Sequence, residues 1–116
     1  MSENRREFFR VVFDHFIIGE IAVQEGAFVP VKIDNISVGG MSFISQEQIM
    51  MHEKVASRFK VLEGSFLIDG MIVRKSIQAN YTEYGVEFDI DPETASDLFK
   101  QLNFYQIRQR KGVYID

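Results

Sequence analysis

The 116-residue chain contains no cysteine and no tryptophan, and its net charge has the wrong sign for a general polyanion binder. Without thiols there are no disulfides and no thiolate chemistry, so the fold must stand on its core alone. No apolar run approaches the roughly 20 residues that cross a bilayer, so membrane insertion is not expected. The N-terminus is polar and charged, lacking the basic end, apolar run and small-residue cleavage site of a signal peptide. These features predict a soluble cytoplasmic protein. A formal net charge of -4 and a pI near 5.2 argue against general nucleic-acid binding, which relies on a broad basic surface. An anionic partner has to be met by a local patch. Catalytic parts are missing as well. Two histidines, His15 and His52, supply neither a nucleophile–base pair nor a metal cluster, and Asp89 and Asp91 fall at a helix start where capping accounts for them. The sequence therefore predicts no enzyme, no metal and no cofactor.

What is present is a chain that is 46% hydrophobic, with eleven phenylalanines and four tyrosines. That is enough for one core, and the aromatics suit strand-rich packing. Val11, Phe13, Ile17, Ile21 and Val23 share one parity against Asp14, Glu20 and Gln24, which predicts a long first strand. Phe16 and Ile18 break the pattern and are expected to pack under another element. His15 has the apolar parity and reads as a packed residue, and Gly19 reads as a bend or bulge. Val29, Val31 and Ile33 predict a second strand, with Pro30 pointing to an edge position because it cannot donate to a ladder. Met41 and Phe43 mark a third. Residues 46–54 read as a loop with one helical turn. Phe59 and Val61 mark a fourth strand, 66–77 a fifth with ambiguous parity and a bulge at Gly70, and Tyr84, Val86 and Phe88 a sixth. Six strands joined by Gly-containing turns predict an antiparallel barrel, closed or nearly so.

The period then changes. Asp91-Pro92-Glu93 is a helix start with a capping carboxylate, a first-turn proline and an acid at the positive dipole end. Ala95, Leu98, Phe99, Leu102 and Tyr105 recur at helical spacing. Arg108, Arg110, Lys111 and Gly112 suit a C-terminus. The helix is expected to pack across the barrel.

Two segments carry binding chemistry. Arg5-Arg6-Glu7-Phe8-Phe9-Arg10 sets three guanidiniums within six residues of an acidic chain. Each is a planar donor fork that binds phosphate, grips a guanine edge or stacks on a base. Alternatively it is a solvated arm held down by its two phenylalanines. Asn35-Ile36-Ser37-Val38-Gly39-Gly40 joins two strands. Asn and Ser bond nearby backbone or an incoming ligand, while the glycines supply positive φ or let a ligand approach closely. By itself it is also an ordinary turn.

Together, an R-x-x-x-R pair (Arg6, Arg10) at the mouth of the first strand and an N-x-S-x-x-G motif (Asn35, Ser37, Gly40) between the next two resemble the PilZ domain family. Arg5-Arg6 doubles the first arginine as in many members, Gly39 precedes the motif glycine, and Tyr84-Gly85-Val86-Glu87-Phe88 is similar to the family's late strand. The resemblance implies a six-stranded antiparallel PilZ-type β-barrel with a C-terminal α-helix that binds cyclic di-GMP. Arg6 and Arg10 would take guanine edges and phosphates, with Arg5 auxiliary. Asn35 and Ser37 would bond a guanine, and Gly39 and Gly40 would keep the strand close to the ligand. Residues 1–10 would form an arginine-bearing switch arm and 11–116 the barrel. The expected partners are cyclic di-GMP and an effector protein the sequence does not name, with the chain a monomer or homodimer. Two alternatives are a ligand-independent PilZ-like interaction module and a barrel that binds single-stranded nucleic acid.

Overall fold

In the computed structural model, which describes residues 9–112, the alternating strands close into a barrel and the helix covers one of its openings. The strands are β1 (Arg10–Val23), β2 (Phe28–Ser37), β3 (Gly40–Ser45), β4 (Lys54–Val61), β5 (Gly64–Ile77) and β6 (Thr82–Asp89), followed by α1 (Pro92–Arg110). All pairings are antiparallel, in the closed order β1-β2-β3-β6-β5-β4. Inward parity fills the interior with Val11, Ile21, Ile33, Ile36, Phe43, Ile72, Tyr84 and Val86, all buried. Burying each side chain of that size stabilises the fold by roughly 1.5–3 kcal/mol. Tyr84 is fully buried and keeps its hydroxyl satisfied. It donates to the Glu47 carbonyl at 2.7 Å and accepts from the Ile49 N–H at 3.0 Å, stapling residues 46–53 across a barrel end. That segment contains turns and bends but no helical turn, contrary to expectation.

The ladder departs from regular pairing at three places. β1 slips against β2 between Val12 and Ile17. β2 slips against β3 at Asp34, since Ile33 faces Phe43 and Asn35 faces Ser42. β5 slips against β6 at Val73, since Ile72 faces Val86 and Arg74 faces Gly85. Gly19 and Gly70, the positions expected to bulge, sit instead in unbroken register opposite Val31 and Val55. Around the β1 slip only His15 departs from alternation, since Phe16 and Ile18 share the outward parity of Val12. Phe16 and Ile18 are 49% and 64% exposed rather than packed, and His15 is exposed. A closed barrel has no edge strand. Pro30 is accommodated because β3 pairs β2 only from Lys32 onward, which leaves Pro30 on a stretch without a β3 partner.

Strands β1 and β4 pair over only four positions, Glu20–Val23 against Val55–Arg58. The helix fills the gap they leave. Its start is as expected: the Asp91 carboxylate accepts from the Thr94 N–H at 2.7 Å, and Pro92 follows in the first turn. Leu98 and Leu102 enter the core, Tyr105 meets Phe13 edge-on at 5.1 Å, and Phe99 meets Phe9 at 5.6 Å. Near the other end, Gln109 bonds the exposed side of β1. Its Oε1 accepts from the Asp14 N–H at 2.7 Å and its Nε2 donates to the Val12 carbonyl at 3.1 Å. One carboxamide thus takes the place of a neighbouring strand. Gly112, in the left-handed region, ends the helix.

Candidate functional site

Each slip turns a polar side chain outward. Without the one at Asp34, Asn35 would share the inward parity of Ile33; with it, Asn35 faces out between buried Ile33 and Ile36. Without the one at Val73, Arg74 would follow Ile72 into the core; with it, Arg74 lies outside, opposite Gly85. Bulges are a common means of re-aiming side chains at functional sites.

Arg10 is the first residue of β1 and pairs with Ser37 across the β1–β2 ladder. It is therefore part of the barrel rather than of a segment before it. Its guanidinium donates through Nη1 to Asn35 Oδ1 and through Nη2 to Ser37 Oγ at 3.3 Å. The Asn35 amide is oriented by its other end, where Nδ2 donates to Asp34 Oδ1 at 2.7 Å. Ser37 is fully buried. Besides meeting Arg10, its hydroxyl accepts from the Gly39 N–H at 3.1 Å and donates to the Gly40 carbonyl at 3.4 Å. Val38 and Gly39 form a two-residue turn, tied to β6 by the Phe88 N–H donating to the Gly39 carbonyl at 2.9 Å.

Gly40 has a requirement other than positive φ, since Gly112 is the one glycine in that region among the described residues. A Cβ at Gly40 would stand 2.1 Å from the Val86 carbonyl oxygen. The motif glycine thus lets β3 approach the β6 backbone directly beneath the turn.

The motif therefore brings Arg10, Asn35, Ser37, Gly39 and Gly40 together. Arg5 and Arg6 lie outside the described residues. The residue the sequence did not single out is Arg74, whose Nη2 donates to Ser42 Oγ at 2.7 Å. Its parity in a regular β5 would point it inward, so only the slip at Val73 could have revealed it.

The electrostatics follow from this packing. Burial first, then the Arg74 charge, hold the Arg10 pKa below its ordinary value, with Asp34 offsetting part of the effect. Burial first, then Glu83, push the Asp34 pKa up, against the Asn35 hydrogen bond and the two arginines. The Arg10 guanidinium remains charged at neutral pH nonetheless. Among the described residues neither Arg10 nor Arg74 has a carboxylate within 4.0 Å, and both are held by neutral oxygens. A concavity of about 490 Å³ lined by Ile18, Pro30 and Leu67 and one of about 990 Å³ lined by His52, Met71 and Asp89 lie elsewhere. The site is an open cationic surface suited to a ligand that brings its own shape. No group of His, Asp or Glu able to hold a metal occurs among the described residues. No helix there is long and apolar enough to cross a membrane.

Comparison with known proteins matches this architecture. The sequence model of the PilZ domain matches residues 4–104. The structure resembles the PilZ domain of Escherichia coli YcgR with c-di-GMP at TM-score 0.69 and 16% identity, covering 93% of this chain and 95% of that one. It resembles the Bacillus subtilis inhibitor of motility MotI/DgrA at TM-score 0.72 and 17% identity, covering 91% of this chain and 53% of that one. The K. pneumonia MrkH–c-di-GMP complex gives TM-score 0.70 and 14% identity, covering 92% and 54%. The chain thus spans about half the length of MotI and MrkH. Comparison with curated protein sequences gives no match.

Proposed function

Because the chain belongs to the PilZ domain family, we propose that it is a receptor for cyclic di-GMP, a binding module rather than an enzyme. One observation carries this reading: Arg10 meets Asn35 and Ser37 on one outer patch, where two strands and a turn converge. A guanidinium fork engages both kinds of group the ligand offers, the O6/N7 edge of guanine and the phosphodiester oxygens. Binding exchanges the neutral acceptors of Arg10 for charged or bidentate ones. Asn35 then has an amide able to donate to and accept from a guanine, and the turn of Gly39 and Gly40 keeps the backbone low beside it.

In the finer part of the proposal, Arg5 and Arg6 close over the ligand from the N-terminal side and the chain signals through a protein partner from the cytoplasm. The three neighbouring cations Arg5, Arg6 and Arg10 repel one another until a doubly anionic ligand gives them a common target. The bound arm then presents a surface that the free protein lacks.

Calorimetry with cyclic di-GMP, GMP and cyclic di-AMP tests the receptor reading. Cyclic di-GMP binds, and cyclic di-AMP binds more weakly by about 1–3 kcal/mol per misread base, because adenine carries an amino donor where guanine carries O6. Equal affinity for the two dinucleotides refutes guanine readout, and no heat with either refutes the receptor.

A further inference from the structure

Arg74 belongs to no arginine motif, yet its side chain ends beside the one that does. From β5 it crosses β6 and reaches Ser42 Oγ on β3 at 2.7 Å. The crossing uses Gly85, where a Cβ would stand 3.1–3.3 Å from Cβ, Cζ and Nε of Arg74, so the side chain lies along the bare backbone. Arg10 makes the corresponding reach from β1 to Asn35 on β2. Asn35 and Ser42 are direct register partners. Two strands separated by β2, β3 and β6 thus deliver their cations to neighbouring residues of adjacent strands, about 4.8 Å apart.

Like charges brought this close raise each other's energy unless an anion lies between them. Asp34 lies near both, with Glu83 near Asp34, but Asp34 forms no ion pair with either guanidinium within 4.0 Å. The repulsion registers at Arg10, whose pKa is lowered by Arg74 after burial. The arrangement is preorganised for a ligand with more than one anionic group. A single guanidinium would serve a monophosphate.

We propose that Arg74 is a phosphodiester-binding residue of this site, taking one phosphate of the cyclic dinucleotide while Arg10 serves the other side of the same ligand. This rests on the receptor reading above. Ser42 aims the fork and Gly85 leaves room for it. The neutral hydrogen bond to Ser42 is given up for, or shared with, a charge-assisted one to a phosphate oxygen.

The test is titration of cyclic di-GMP into the wild-type chain, Arg74→Gln, Arg74→Lys and Ser42→Ala over a range of salt. Arg74→Gln is expected to weaken binding about 10- to 100-fold and to flatten the salt dependence, since one screened attraction is gone. Arg74→Lys recovers part of the loss through its charge. Ser42→Ala, which keeps the charge but frees the fork, costs a few-fold. Arg74 is exposed, so thermal midpoints are expected to stay together. If Arg74→Gln nevertheless fails to fold, the Lys and Ser42 variants decide the matter by the same readouts. Wild-type binding that is retained within twofold in Arg74→Gln, or lost with an unchanged salt slope, overturns the proposal and leaves the receptor standing. Absence of wild-type binding overturns both.

Discussion

Arg10 and Asn35 are joined across the β1–β2 pair by a hydrogen bond from Nη1 to Oδ1, between residues 25 positions apart in the chain. The bond makes the first motif a part of the second before any ligand arrives. Arg10→Ala should therefore do two separable things. Affinity for cyclic di-GMP should fall by roughly 1.5–3 kcal/mol, about 10- to 150-fold, for the lost charge-assisted contact. Stability of the free protein should fall by only about 0.5–1.5 kcal/mol, the scale of neutral-acceptor hydrogen bonds on a part-exposed group. Titration and urea unfolding of the same variant measure the two effects. A stability loss several-fold larger would make Arg10 chiefly a structural residue.

Gly40→Ala separates the motif's structural member from its binding members. The added Cβ meets the Val86 carbonyl at 2.1 Å, a backbone atom that cannot rotate away. β3 and β6 must part there, at a cost on the order of 1–3 kcal/mol. The thermal midpoint of the free protein should drop, in contrast with Arg10→Ala, and binding should weaken with it. An unchanged midpoint would mean that the two strands separate more freely than their register implies.

Asp34 opposes the site's cationic character. Its pKa is raised, so between the ordinary carboxylate value and the raised one the folded state holds more protons than the unfolded state. Its contribution to stability accordingly decreases as pH rises through the raised pKa. Asp34→Asn keeps an acceptor for the Asn35 Nδ2 and removes the charge. At pH 7 the variant should melt about 1–3 °C higher, the scale of a partly screened charge, and the advantage should shrink as pH falls below the raised pKa. Its affinity for cyclic di-GMP should increase several-fold, because one screening anion has left the two guanidiniums. Melting curves at several pH values and one titration check both parts.

Trypsin tests the proposed closure of the N-terminal arginines over the ligand. Cleavage after Arg5 and Arg6 is expected to be fast in the free protein and strongly slowed by saturating cyclic di-GMP, while cleavage after Arg108 changes less. The bond after Arg10 should resist throughout, since Arg10 and Val11 already pair with Ser37 and Ile36 in the β1–β2 ladder. Protection of Arg5 and Arg6 without ligand, or continued cleavage with it, would remove the arm from the switching mechanism.

Much of this architecture was legible because it depends on period. Alternation in β1, β2 and β6 and the three- and four-residue spacing of Leu98, Leu102 and Tyr105 gave six strands and a helix in the right order. Asp91-Pro92 marked the helix start to the residue. The motif positions Arg10, Asn35, Ser37, Gly39 and Gly40 were also visible, and the structure gathers them. What stayed hidden depends on breaks in period. A bulge is decided by how two strands dock, so Gly19 and Gly70 attracted the prediction while Asp34 and Val73 carry the slips. Arg74 was missed for that reason, and so was the exposure of His15, whereas Phe16 and Ile18 are exposed by the plain alternation of β1, with no other element packed over them.

The hydrogen bonds from Gln109 to Val12 and Asp14 have a consequence for behaviour at high concentration. Bare backbone groups along a strand are a template for pairing with a strand of another molecule, the first step toward aggregation. Without the glutamine, β1 would offer such groups at the Val12 carbonyl and the Asp14 N–H, beyond the reach of β4 and in a stretch that also exposes Val12, Phe16 and Ile18. A single glutamine near the end of the helix caps part of that stretch. The helix therefore keeps molecules apart as well as closing the core, and its loosening would turn a barrel without edges into one with a sticky seam.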